Sequence, residues 1–490
     1  MKLSAKHPNV QRAIYNDFSA GLNSSMMEDN IAENELREVV NMEIDRKMQL
    51  LRTCKGTVDI CKFDYDVTSA AYDVINGMFL LFTSDRKIIT TYDFKSFKEA
   101  GTLTGESPVI TASWENGLLI ASGGRLQYST KRGVKTLQNS PIHSKGAYIR
   151  SGRVLTFDGA DNVKYSSVGD EDNWDIDAGD PSKALFAQIG YKVGGKILGM
   201  VNLSKDILFI KDNGMVFRLE NEYPDWKISE LGRNIYCKNG LSFCNIGEQV
   251  IILGNGILQS VQTTQDYGDM KPTDIGKKVK REIASLEDDT KLRYIPSINQ
   301  LWFISHTKYV LVMDCDTGAF FQRTFNKPVV DVICIDEDIY IVRDHAVSKF
   351  TEDFVDSGLP LSFTAKFKSA FSLNEILVKK INFGITPYKT TFDDTQCYLK
   401  IGKVRLAFPD RKLTGDNIVT SQDSFATIPS SSDIHRNQKI VFADEEFVTP
   451  TNLISMRVRC ISRTPMVRMK IWGEGFSFIM NYIGYDWVEV

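Results

Sequence analysis

The chain has 490 residues, more than one compact domain usually holds, so two or three units are expected. Hydrophobic residues at 42% and charged residues at 25% exclude a disordered or fibrous chain. A net charge of −3 excludes a protein whose main task is gripping nucleic acid by counterion release, but not one that nucleic acid slides past.

Residues 1–8 carry no apolar leader core, and no run approaches the ~20 apolar residues of a membrane-spanning helix. Folding in a cytosol is expected. Residues 1–60 read as an N-terminal arm with a short helix and a first strand. Its apolar residues Phe18, Leu22, Met26, Met27 and Ile31 stand among polar ones. Two uses fit them: docking on a neighbouring subunit, or closing a ring of repeats against its last member. Residues 31–40 predict a short amphipathic helix, and residues 275–286 a second.

From residue 61 one phrase recurs: a short apolar run, a turn rich in Asn and Gly, and another apolar run. Ala70 to Phe82 turns at Asn76-Gly77, and Ile110 to Ile120 turns at Asn116-Gly117. The phrase returns at residues 147–157, 197–210, 241–253, 294–304 and 329–342, usually with a third run after another turn. Such turns need positive φ, which is hairpin chemistry. A multi-stranded unit recurring at roughly 40 residues predicts a β-propeller of about seven blades, with six or eight also compatible. Blades arranged radially cover each other's faces, which one small sheet cannot do alone. A pair of β-sandwiches would supply similar strands without the period.

The repeat ends near residue 356, and residues 357–490 predict a separate β-rich domain. Leu361 to Lys368 and Leu453 to Ile461 alternate with period two, as strands with one wet face do. Residues 412–437, rich in Ser, Thr and Asp, read as a long loop or an insertion between these strands. The strand bearing Arg457 and Arg459, with Arg463, Arg468 and Lys470 beyond it, is a solvated face or a surface for an acidic neighbour.

Chemistry-bearing patterns are weak throughout. The eight cysteines form no CxxC and stand mostly in apolar runs, as small buried hydrophobes do. The five histidines share no motif. Ser122-Gly123-Gly124-Arg125 and Val193-Gly194-Gly195-Lys196 lack the ending of a phosphate loop, and the acidic run from Asp170 to Asp177 lacks the spacing of a calcium loop. No Asp-box turn of a sialidase occurs. No catalytic, cofactor or metal residue is assigned.

Three phrases occur in order over this pattern. They are Asp17-Phe18-Ser19-Ala20-Gly21-Leu22-Asn23 leading to Asn41-Met42-Glu43; Tyr165-Ser166 through Trp174 and Gly179-Asp180-Pro181 to the strands around Gly194-Gly195 and Asn213-Gly214; and Leu241-Ser242-Phe243 to Gly254-Asn255-Gly256, closing at Asp274-Ile275-Gly276. Together they resemble the head-to-tail connector propellers of short-tailed phages, the packaged-DNA stabilisation or tail hub proteins, with tail tubular and nozzle proteins related. Ala20 departs from the family's glycine, and Ser182-Lys183 from its apolar pair. The resemblance implies a structural virion protein without catalysis. It would form a homo-oligomeric ring, commonly a hexamer, beneath the portal and adaptor proteins, and double-stranded DNA would pass through the lumen without sequence recognition. Phe18, Leu22, Met26, Ile31, Arg457 and Arg459 are the residues expected to dock partners. The alternatives are a protein-binding propeller scaffold, although WD and kelch signatures are missing, and a propeller glycosidase.

Overall fold

The apolar runs of the repeat are continuous rather than alternating, and a strand of that kind has to be covered on both faces. The computed structural model shows what covers them. It describes residues 10–45, 50–177, 179–203, 205–263, 270–371, 376–390, 398–401, 404–407, 418–420, 452–462, 466–467, 470–474 and 476–489. The chain divides into two compact units, Met1–Val58 with Leu311–Asn326 and Phe350–Val490, and Asp59–Val310 with Lys327–Lys349. The arm and the C-terminal residues, expected as separate pieces, therefore belong to one unit, and residues 311–326 join it from within the repeat.

The second unit is a β-propeller of seven blades among the described residues. Five are four-stranded antiparallel meanders, beginning with Val67–Asp73, Ile110–Trp114, Tyr148–Arg150, Ile197–Leu203 and Phe243–Ile246. The sixth is built from Lys291–Ile295 and Gln300–Ile304, and the seventh from Val329–Ile335, Asp338–Arg343 and Ala346–Thr351. All seven copies of the repeated phrase fall on the first two strands of a blade. The first strands line the centre, with that of blade 7 beside that of blade 1. Second strands are buried along their whole length in Met78–Thr83, Gly117–Ala121 and Arg153–Phe157. In blade 1, Leu80 and Phe82 face Leu118 and Ile120 of blade 2, while Phe79 and Leu81 face Val330, Ile333 and Val342 of blade 7. The Asn255-Gly256 turn has φ of 50° and 70°, the pair of positive values that a two-residue hairpin turn needs.

The seventh blade takes its fourth strand from the other end of the repeat. Gly56–Lys62 lies alongside Ala346–Thr351, Ser348 Oγ donates to Asp59 Oδ1 at 2.8 Å, and the Phe63 amide donates to the His345 carbonyl. Residues 59–62 thus close the ring, not Phe18, Leu22 or Ile31.

Trp114 is 7% exposed, packs with Leu119, Tyr128 and Val154 between blades 2 and 3, and donates from Nε1 to Glu171 Oε2 at 3.2 Å. Trp114→Ala is expected to lower the propeller's unfolding free energy by about 3 kcal/mol. A thermal midpoint equal to the parent's would refute that burial.

In the first unit Phe476–Glu489 pairs with Gln11–Tyr15 and with Ile376–Thr390, which pairs in turn with Asn452–Ser462. Ser362–Lys366 lies between Glu38–Val40 and Lys470–Glu474. Residues 361–369 alternate buried and partly exposed as their period predicts. Phe363 meets Phe478 edge-on at 5.0 Å. The helix expected over residues 31–40 does not form. Residues 35–36 run parallel to residues 21–22, and Val39 and Val40 pair with Ala365 and Thr364, so strand partners supply the backbone bonds that a short, β-branched helix would have to make alone. The second expected helix is present but short, a 3-10 turn at Lys277–Val279 followed by Lys280–Ala284, with Val279 and Ile283 buried. Most of the loop expected over residues 412–437 lies outside the described residues.

Candidate functional site

Seven first strands converging on one axis cannot meet at their starting ends, and a cavity of about 600 Å³ opens there. The wall is built by connections between blades and by turns between second and third strands. It includes Arg86, Glu106, Asn239, Asp289, Lys291 and His306. Charges are paired across it: Arg86 with Glu106 at 3.6 Å, and His306 Nε2 with Asp344 Oδ1 of the next blade at 2.7 Å. His345 stands 3.7 Å from Asp66. Among the described residues His306 pairs with Asp344 and with no hydroxyl or thiol.

Next to the mouth is a buried carboxylate that joins three blades. Asp331, fully buried in the first strand of blade 7, accepts from Arg293 Nε at 2.7 Å and Arg293 Nη2 at 3.2 Å in blade 6. It also accepts from Ser69 Oγ at 2.9 Å and the Ala70 amide at 3.2 Å in blade 1. Lys291 Nζ stands 3.8 Å away and donates to the carbonyls of Thr68 and Val330. Burial opposes the charge on Asp331, but Arg293 and Lys291 outweigh it and hold the carboxyl well below the usual carboxylate range. A buried charge is tolerated only when paired and hydrogen-bonded in this way. Sequence reasoning passed over these residues, although one acid inside the apolar run Val329-Val330-Asp331-Val332-Ile333 is itself a signal.

The residues expected to dock partners do not gather at one place. Phe18, Leu22 and Ile31 are buried in the core of their own unit, with Phe18 edge-on to Phe367 at 5.7 Å. Met26 and Met27 are exposed by 54% and 74%. Arg457 lies in register with Lys380 on Asn452–Ser462, and the side chains of Arg457 and Arg459 lie outside the described residues.

The phrases behind the family resemblance are structurally demanding positions. Gly21 has φ +63°, and a Cβ there would stand 2.8 Å from both Ala319 Cβ and the Phe320 carbonyl. Ala20, by contrast, is outside the left-handed region, so alanine fits where the family has glycine. Asn41, left-handed at φ 54° and buried, donates from Nδ2 to Thr324 Oγ1 and the Ser362 carbonyl, accepts from the Thr324 amide, and receives Cys54's amide on its own carbonyl. The acidic run is used as turn chemistry. Asp172 accepts from the Asn139 amide, Asp177 from Gly179 and Asp180 from Ser182, while Glu171 faces Lys135 at 3.6 Å. Burial pushes the Cys237 thiol up to about 12 and Cys334 to about 11, which makes them poor nucleophiles.

No protein-family model matches the chain, and no curated protein matches it. Among solved structures it is similar to BamB from Moraxella catarrhalis, at 10% identity and a TM-score of 0.37 over 64% of this chain and 94% of that one. The WD40 β-propeller domain of Doa1 is similar at 13% identity and a TM-score of 0.40, over 61% and 96%. The WD40 domain of Neurospora crassa Pan2 is similar at 9% identity and a TM-score of 0.40, over 58% and 89%. At scores this low the likenesses add no argument to the blade geometry, and by that geometry the chain is an all-β protein built around a β-propeller.

Proposed function

We propose that this chain is a non-catalytic β-propeller scaffold that works by docking other macromolecules. The observation that carries the reading is the central mouth, where Arg86 is paired with Glu106 and His306 with Asp344 beside an open cavity. Such a rim recognises partners by charge complementarity, and among the described residues no nucleophile stands against His306.

The finer form of the reading is a tail hub or nozzle of a short-tailed phage. Its support is the ordered set of sequence phrases, two of whose members, Gly21 and Asn41, stand where the backbone demands those residue types. In that form the chain builds a ring beneath portal and adaptor, and the packaged duplex passes through the lumen. A conduit of this kind must not hold phosphates, and a net charge of −3 meets that need. Closed rotational symmetry is the usual way such subunits assemble. The reading involves no cofactor and no membrane insertion.

Native mass spectrometry of the purified chain, alone and beside its adaptor ring, is expected to give a closed ring of about six copies. A monomer under both conditions overturns the tail form and leaves the scaffold. Turnover of a polysaccharide by the purified chain overturns both.

A further inference from the structure

A second, smaller cavity of about 220 Å³ lies between blades 3 and 4. Blade 3 contributes the turn between its first two strands, with Arg150 and Arg153, and the end of its third strand at Tyr165. Blade 4 contributes the turn after Val216–Glu220, with Tyr223 and Trp226. The three aromatic rings form one wall: Trp226 stands 5.3 Å from Tyr165 and 5.3 Å from Tyr223, edge-on to the latter.

The polar groups of this cavity are unbalanced. Tyr165 is 4% exposed, and among the described residues its hydroxyl has no hydrogen-bond partner; nor has the buried Nη1 of Arg150. Arg150 Nη2 donates to the Asn221 carbonyl, and Arg153 donates to the carbonyls of Ser166, Lys183 and Pro181. Neutral carbonyls orient a guanidinium without neutralising it, and among the described residues neither arginine forms an ion pair. Burial disfavours the charge of Arg153 and pushes the Tyr165 phenol up, so the hydroxyl stays a donor. Two unmatched donors, two guanidinium groups outside any ion pair and three mutually tilted aromatic rings thus belong to residues that line one small cavity, with Glu222 the acid in its wall. Leaving buried donors unmatched is unfavourable, and a ligand that accepts from them recovers that loss on binding.

From this arrangement we infer that the cavity binds a carboxylate carried on an aromatic or apolar body, one oxygen to the Tyr165 hydroxyl and the other to Arg150 Nη1. Two donors match the two oxygens of a carboxylate, and a ring of phenyl size fits the volume against Trp226. The same chemistry is offered by a free arylalkanoic acid and by a peptide chain end with an aromatic final residue.

Titrations of the full chain with 3-phenylpropanoate and with N-acetyl-L-phenylalanine, followed by tryptophan fluorescence and calorimetry, separate the two sources. Saturable binding of either acid is expected, and the tighter one names the source. N-acetyl-L-phenylalaninamide and inorganic phosphate are expected not to compete. Tyr165→Phe is expected to weaken the acid roughly tenfold, the scale of one hydrogen bond to a charged group, while its thermal midpoint equals or exceeds the parent's because a buried orphan has been removed. Arg150→Gln is expected to weaken binding at least as much. Binding of neither acid, equal binding of the amide, or unchanged affinity in a folded Tyr165→Phe protein overturns the inference.

Discussion

A chain that starts at residue 63 is expected to lose the cooperative unfolding of its propeller and to elute as aggregate, whereas one that starts at residue 31 keeps the propeller transition. The shorter deletion leaves Gly56–Lys62 to complete blade 7. The longer one strips it away, together with the Asp59 partner of Ser348, and exposes Ala346–Thr351 as a naked edge. Unpaired edges of that kind recruit other chains, and an opened ring uncovers Phe79, Leu81, Val342 and Val347 at the seam between blades 7 and 1. Circular dichroism melts and gel filtration of the two truncations decide the matter. A residue-63 chain that melts at the parent's midpoint, as a monomer, would refute closure by this strand. Removing residues 1–30 also takes Phe18 and Leu22 from the core of the first unit, so a loss confined to a second, separate transition is expected there.

Asp331→Asn is expected to destabilise the propeller by about 3–5 kcal/mol, the usual effect of removing one partner from a buried ion pair. The substitution keeps shape and volume but leaves Arg293 and Lys291 without the carboxylate that both face. Acid should reproduce the effect. The folded-state value of Asp331 lies below that of the unfolded chain, near 3.9. Its stabilisation is therefore complete above that pH and fades as the pH falls through the folded value. The gap in melting midpoint between parent and Asp331→Asn should be widest near neutrality and narrow in acid. A gap that does not change with pH, or none at all, would show that the ion pair does not hold the seam.

The propeller was legible because its physics is local. Each blade buries both faces, so its second strand is written as an unbroken apolar run, and each hairpin needs an Asn-Gly type of turn beside it. Neither property depends on distant residues. The pieces that escaped are those set by long-range partners. Val39 and Val40 look compatible with a helix until Ala365 and Thr364 supply a ladder. Nothing in residues 56–62 announces that their partner lies some 290 residues later, near Ala346–Thr351. The Tyr165 cavity is built from turns of two blades, so no spacing in the sequence brings Arg150 to Trp226. Asp331 was the exception, a charge inside an apolar strand that could have been singled out from the residues alone.

The division of the chain has a consequence for synthesis. Residues 10–58 and the long closing strands of residues 376–489 complete the same unit, so on the ribosome the first must wait for the last. The propeller is finished sooner. Its closing strand emerges before any of its blades and stays unpaired until residue 351 has left the exit tunnel, when six blades already stand. Non-local pairings of this span are slow to form, and the waiting segment carries exposed Val58 and Ile60. Slowing translation should therefore lengthen the interval in which that apolar strand is without its partner.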